Sequence, residues 1–238
     1  MAPSTTTFGR RTMAILLATL LVATAAITAV ATVPAAAREP PQPVCGVCVA
    51  FAEPQTVDGA RIDAANSTMT IHVYENGSSR WTARVQLARG SDALRNETLR
   101  TRVLDAVRLG VLEDPAARHS DVDGDTLVVS YRVPRAAHRT IGVLRFDAFY
   151  AAGAPPLMMG GEGAPYPGAD RLVLVAPTDY RVQGDYGAST NDTTAVWHGD
   201  SHAQYAGHID SDTVVSFTRQ DAIFPGLRTW VAEILDSF

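Results

Sequence analysis

Residues 67–87, STMTIHVYENGSSRWTARVQL, constrain the fold most, because apolar side chains recur at every second position on both sides of an Asn-Gly pair. A β-strand turns successive side chains to opposite faces. Met69, Ile71 and Val73 therefore share one face, as do Trp81, Ala83, Val85 and Leu87 on the return. Asn76-Gly77 supplies the backbone freedom of a two-residue hairpin turn. The segment reads as an antiparallel hairpin with one buried face, and such a face needs more strands or a second layer to cover it.

The period then lengthens to about 3.6 over residues 91–114, which predicts one amphipathic helix. Leu99, Val103, Ala106 and Val107 would face inward, with Arg95, Arg100, Asp105 and Arg108 outward. Strand signals return at residues 126–133 and 141–150, both rich in β-branched and aromatic residues. A Gly/Pro-dense segment at 151–169 reads as a large loop or a linker. Short strand candidates follow in RLVLVAP, TDYRVQGD, TAVWHG and DTVVSFTR. At the end, Leu227, Trp230, Val231, Ile234, Leu235 and Phe238 fall on one helical stripe, with Pro225 suited to the first turn. That stripe is expected to pack on the protein's own sheet. The fold class is α+β, a mostly antiparallel β sheet or sandwich with two amphipathic helices, in which residues 56–150 and 170–238 share one core or form two.

The N-terminus speaks to location. Arg10 and Arg11 precede an uncharged apolar run at 13–33, followed by Pro34-Ala35-Ala36-Ala37. That order is the pattern of an export signal, which places residues 1–37 outside the folded domain, either cleaved or kept as an anchor. All 25 acidic residues follow position 37, with 18 of the 20 basic ones, an acidic excess of seven. Such a surface excludes nucleic acid as the expected partner. Every basic residue is arginine, which fits the coding bias of a GC-rich genome. Residues 38–55 form a Pro-rich lead containing the cysteine pair, and 56–238 the β-rich domain outside the cell or on its surface.

Four asparagines occur, Asn66, Asn76, Asn96 and Asn191, and each is followed at +2 by Ser or Thr. Random placement would give this about once in 2000 chains at the observed Ser and Thr content. Singly each is a turn or cap residue; together they predict N-glycosylation. The only cysteines, Cys45 and Cys48, stand three apart in PVCGVCVAF. Outside the cell a local disulfide is expected, with an intermolecular bond or thiol redox chemistry as alternatives.

Half of the six histidines gather in WHGDSHAQYAGH. Extended, this segment would project His198, Asp200 and His202 to one face, a two-histidine, one-carboxylate metal set. Polar residues between strands more often form a solvated loop, so no cofactor is expected and metal-dependent hydrolysis is the alternative. DVDGD departs from calcium-loop spacing and reads as a turn between strands.

The segments ENGSSRWTARVQL, VDGDTLVVSYRVP, GGEGAPYPGADRLVLVAP and FPGLRTW resemble a family of secreted haloarchaeal proteins without an assigned activity. The resemblance implies an extracytoplasmic location and a β-rich ectodomain, and it carries over no functional residue. The expected role is binding or scaffolding, with Leu157, Met158, Met159 and Tyr166 in the Gly/Pro loop as apolar contacts. Expected partners are cell-envelope components or another surface protein, with membrane contact only through an uncleaved N-terminal segment.

Overall fold

The computed structural model describes residues 42–107, 116–149, 165–201, 207, 209–210 and 213–236. Along the chain run α1 (Gly46–Ala52), β1 (Gln55–Val57), β2 (Ala60–Val73), β3 (Ser79–Arg89), α2 (Ser91–Leu94), α3 (Glu97–Asp105), β4 (Ala116–Asp123) and β5 (Thr126–Val133). They are followed by β6 (Ala137–Thr140), β7 (Val143–Phe146), β8 (Arg171–Val175), β9 (Tyr180–Gln183), β10 (Ser189–Thr190), β11 (Thr194–His198), β12 (Val215–Arg219) and α4 (Pro225–Asp236). The fold is α+β, dominated by two sheets.

The larger sheet has the order β10-β11-β8-β2-β3-β5-β4, with β1 beside β2; the smaller is β6-β7-β12-β9. Every ladder is antiparallel except β2 with β8. Each sheet joins strands from before the Gly/Pro segment to strands from after it, at β2–β8 and at β7–β12, so the two halves share one core.

Alternation places that core. Ile71 pairs with Trp81 and Leu174, and Trp81 with Tyr131, giving a row of apolar side chains across the larger sheet. Met69, Ala83, Val129, Leu172 and Trp197 form the next row, and all of these are buried. Leu144, Phe146, Val215, Phe217, Tyr180 and Val182 supply the facing surface of the smaller sheet. The layers meet through aromatics. Trp81 lies 5.9 Å from Tyr131 and 6.4 Å from Phe146, and Phe149 links Phe146 to Trp197 at 5.0 and 5.4 Å. Burial in this core pushes the Tyr131 phenol far above its ordinary value.

The hairpin differs from its sequence reading at the turn. Val73 pairs with Ser79, leaving residues 74–78 as a five-residue loop in place of a two-residue turn. Gly77 sits there at φ 80°, and its carbonyl accepts from Ala136 N and Ala137 N at 2.9 Å each. A methyl group at Gly77 would collide with the Ala137 carbonyl oxygen, so the loop is shaped by its docking on β6.

The helix expected over 91–114 is broken within 91–107, and 108–114, with Arg108, lie outside the described residues. Asn96 caps α3, accepting from Leu99 N at 3.2 Å, and separates it from the single turn of α2. Arg100, expected outward, is buried, and Ala106, expected inward, is exposed. The break is the cause. It leaves carbonyls of α2 open, and Arg100 Nη1 donates to Leu94 O at 2.9 Å while Nε reaches Ser120 Oγ at 3.2 Å.

The lead ends in α1. Cys45 and Cys48 form a disulfide, S–S 2.03 Å, with Cys45 Sγ accepting from Cys48 N at the helix start. Both sulfurs lie in the core beside Val44, Val47 and Phe51.

Candidate functional site

The C-terminal helix carries the least ordinary surface of the molecule. Its helical periodicity holds from Pro225 to Asp236, as the sequence predicts. Four residues of the expected inward stripe face the other way, Val231 is half-buried, and Phe238 lies outside the described residues. Leu227, Trp230, Ile234 and Leu235 are exposed by 59, 58, 38 and 51 %, and the preceding Ile223 and Phe224 by 68 and 73 %. Thr229 and Ala232, on the opposite side, are the buried positions.

The sheet beneath explains the inversion. The apolar face of the smaller sheet is spent on the larger one, through Phe146 and Trp81. Alternation therefore gives the outer face to Arg145, Arg181, Gln183, Ser216 and Thr218, with Ser216 between Arg145 and Gln183 and Thr218 beside Arg181. The helix lies against β6, β7, β9 and β12 on that face. Ser216, Thr218 and Arg145 are buried there, and Tyr186 Oη accepts from Ser216 N at 3.3 Å. Burial pushes the Tyr186 phenol up, the Ser216 bonds pull it down, and Glu233 of α4 adds a further upward push. Among the described residues, Arg181 Nε and Thr218 Oγ1 find no hydrogen-bond partner. A face built of these side chains offers Leu227 and Trp230 little apolar surface to pack against. Small Thr229 and Ala232 sit on the polar face instead, and the apolar stripe turns outward.

A second candidate lies at the edge of the larger sheet, a pocket of about 230 Å³ lined by Asp185, Tyr186, Gly187, Trp197, His198, Asp210 and Thr213. Gly187, at φ 66°, lets the chain pass so close to β11 that a methyl group would strike Val196 O. The volume is smaller than the ~300 Å³ at which pockets for organic ligands begin. No family model, curated protein or solved structure matches the chain.

The expected site residues distribute as follows. His198 and Asp200 are exposed, and His202 lies outside the described residues. Among the described residues no three His, Cys, Asp or Glu side chains gather to hold a metal. Leu157, Met158 and Met159 also lie outside the described residues. Tyr166 is not a loop contact. It is buried, its carbonyl accepting from Val44 N at 2.8 Å and its N–H donating to Gln42 O at 3.2 Å, because residues 165–169 form a strap that closes the core beside α1.

All four asparagines are exposed, and three cap local backbone. Asn76 Oδ1 accepts from Ser78 N at 3.0 Å and Ser78 Oγ at 2.7 Å; Asn96 Oδ1 caps α3; Asn191 Oδ1 accepts from Thr193 N at 2.9 Å and Thr194 N at 2.8 Å. Asn66 stands on β2 opposite Gln86, beside a register shift. A glycan attaches to the amide nitrogen and leaves Oδ1 free to accept. Capping and glycosylation are therefore compatible at the same residue.

Sequence reading missed Asp170. Its carboxylate accepts from Ser67 N and Oγ at 2.6 and 3.2 Å, and from Ser201 N and Oγ at 2.9 and 3.0 Å. Burial pushes the group up, but the bonds from Ser201 and Ser67 outweigh it and hold the carboxyl below its ordinary range. It ties β2 to the chain leaving β11, partners more than 100 and about 30 residues away in sequence.

Proposed function

We propose that the chain is an exported, N-glycosylated protein of the cell surface or its surroundings that acts by binding or scaffolding rather than by catalysis. The outward apolar face of α4 carries the reading, since Leu227, Trp230, Ile234 and Leu235 turned toward solvent, with exposed Ile223 and Phe224 just before the helix, mark a contact surface. The exposure of Asn66, Asn76, Asn96 and Asn191 supports the glycan part: each side chain is reachable, and Asn76, Asn96 and Asn191 keep their capping bonds once modified. The basic, apolar, small order of residues 10–37 supports export. Among the described residues no helix is long and apolar enough to cross a membrane.

The test uses the producing cell. Wild type and the double variant Leu227→Ser, Trp230→Ser are followed by intact mass and by retention on washed cells. The reading expects glycosylated mass on both and lower retention of the variant. Equal retention with matching circular dichroism removes the binding role of α4, and an unmodified mass removes the glycans.

A further inference from the structure

The contact surface on α4 has a definite size, charge and orientation, and together these select one kind of occupant. The inference rests on the binding role proposed above for the same helix. We infer that the face is covered by the same face of a second copy of this chain, giving a symmetric dimer.

Size is the first argument. Taking the exposed fractions of Ile223, Phe224, Leu227, Trp230, Ile234 and Leu235, the face offers on the order of 700 Å² of mainly apolar surface. The largest apolar patch of an ordinary monomer covers about 300–600 Å², whereas one side of a standard interface between proteins covers ~800 Å². The face falls at the interface scale.

Orientation is the second. The helix cannot roll to hide the stripe, because half a turn would set Trp230 and Leu227 on the layer of Arg145, Arg181, Ser216 and Thr218. The outward pose thus follows from the sheet, and the stripe presents aromatic and aliphatic side chains in a row along the helix. Trp is among the side chains enriched in binding hot spots.

Charge separates a second copy from a lipid surface. Helices that lie on membranes carry clusters of Lys and Arg along their polar side. The segment Pro225–Asp236 has one basic residue, Arg228, against Glu233 and Asp236, and the whole chain has a formal charge of −5. An anionic bilayer would repel it. A second copy carries the same net charge, so the distinction rests on the helix itself, where exposed Arg228 and Glu233 stand within Leu227–Leu235 and no basic cluster of a membrane-lying helix is present.

Symmetry is the fourth. An isologous interface requires a surface that complements itself. With a two-fold axis crossing between Trp230 and Val231, antiparallel helices bring Leu227 of one copy against Ile234 of the other. The aromatic Trp230 then crosses the axis beside its mate, and Phe224 extends the contact at each end.

Sedimentation velocity on the purified chain, from 1 to 100 µM and at low and high salt, measures the state directly. The inference expects a dimer at the upper concentrations, held or strengthened by salt because the contact is apolar. Trp230→Ser and Leu227→Ser are exposed positions in one copy and should fold normally by circular dichroism, yet each weakens dimerisation at least tenfold. Vesicles of neutral and of anionic diacyl phospholipid are the second arm, with no binding expected. A monomer at 100 µM overturns the inference, as does a dimer that the variants leave unchanged. A monomer that floats with vesicles replaces the second copy by lipid. If the chain is monomeric while the double variant still loses cell retention, the dimer fails and the binding role stands; if retention is also unchanged, both fail.

Discussion

Replacing Asp170 is the sharpest test of how the two halves of the chain are joined. Its carboxylate serves two backbone N–H groups and two hydroxyls, on Ser67 and Ser201, which are only 2 and 6 % exposed. The hydroxyls can rotate toward other acceptors, so the backbone donors set the cost. Each hydrogen bond to a charged group contributes about 1.5–3 kcal/mol, so the two backbone donors give roughly 3–6 kcal/mol for Asp170→Ala. Asp170→Asn keeps one carbonyl oxygen but turns an NH2 toward the other N–H pair, and should cost about 2–3 kcal/mol. Urea unfolding of wild type and both variants measures this as a fall in midpoint at constant slope. Protonation provides an independent check. The folded carboxyl sits below its ordinary range, so its contribution is fully present above the unfolded value near 3.9 and is lost as the pH falls through the folded value. The gap between wild type and Asp170→Asn should therefore hold from pH 7 to about pH 5 and close in stronger acid. Equal midpoints at pH 7, or a gap that persists undiminished to pH 2, would refute the clamp.

Three further outcomes follow from named contacts. Gly77→Ala forces a methyl group into the Ala137 carbonyl at φ 80°, and should lower stability by about 2–4 kcal/mol in thermal melts, whereas Gly124→Ala, in an open turn, should cost about 1 kcal/mol. Asn96→Asp keeps the cap of α3 and removes the glycan acceptor, so it should match wild type in stability while losing one glycan mass; Asn96→Ala should lose the same mass and about 1 kcal/mol. Because Cys45 and Cys48 are buried, the disulfide should resist mild reductant in the native protein and yield only on unfolding, and a Cys45→Ala, Cys48→Ala variant should be less stable by about 2 kcal/mol. Rapid native labelling of both thiols after mild reduction would instead support a redox role.

The sequence by itself determined β2, β3, β5, β8, β9, β11 and β12, whereas β1, β6 and β10 carry no comparable pattern and 141–150, read as one strand, turns at Ile141-Gly142 before β7. Met69 opposite Ala83 and Ile71 opposite Trp81, with Val73 and Val85 on the same face, are buried as period two requires, since alternation depends only on the local geometry of an extended chain. The β4–β5 turn in DVDGD and Pro225 at the head of α4 were legible for the same reason. The cysteine pair was legible as a local disulfide, and Asn76, Asn96 and Asn191 as turn or cap residues, while Asn66 stands on β2 instead.

What the tertiary structure decided is everything that depends on a partner surface. Gly77 bends into a five-residue loop because β6 lies beside it, and Arg100 turns inward because the break at Asn96 leaves carbonyls open. Asp170 gains its role only when residues 67 and 201 arrive from far along the chain. The C-terminal helix states the distinction most plainly. Its sequence fixes that Leu227, Trp230, Ile234 and Leu235 share one side, but a helix buries whichever side suits the surface it meets. That surface is the polar outer face of a sheet whose apolar face is already occupied, so the small residues go in and the large apolar ones face out.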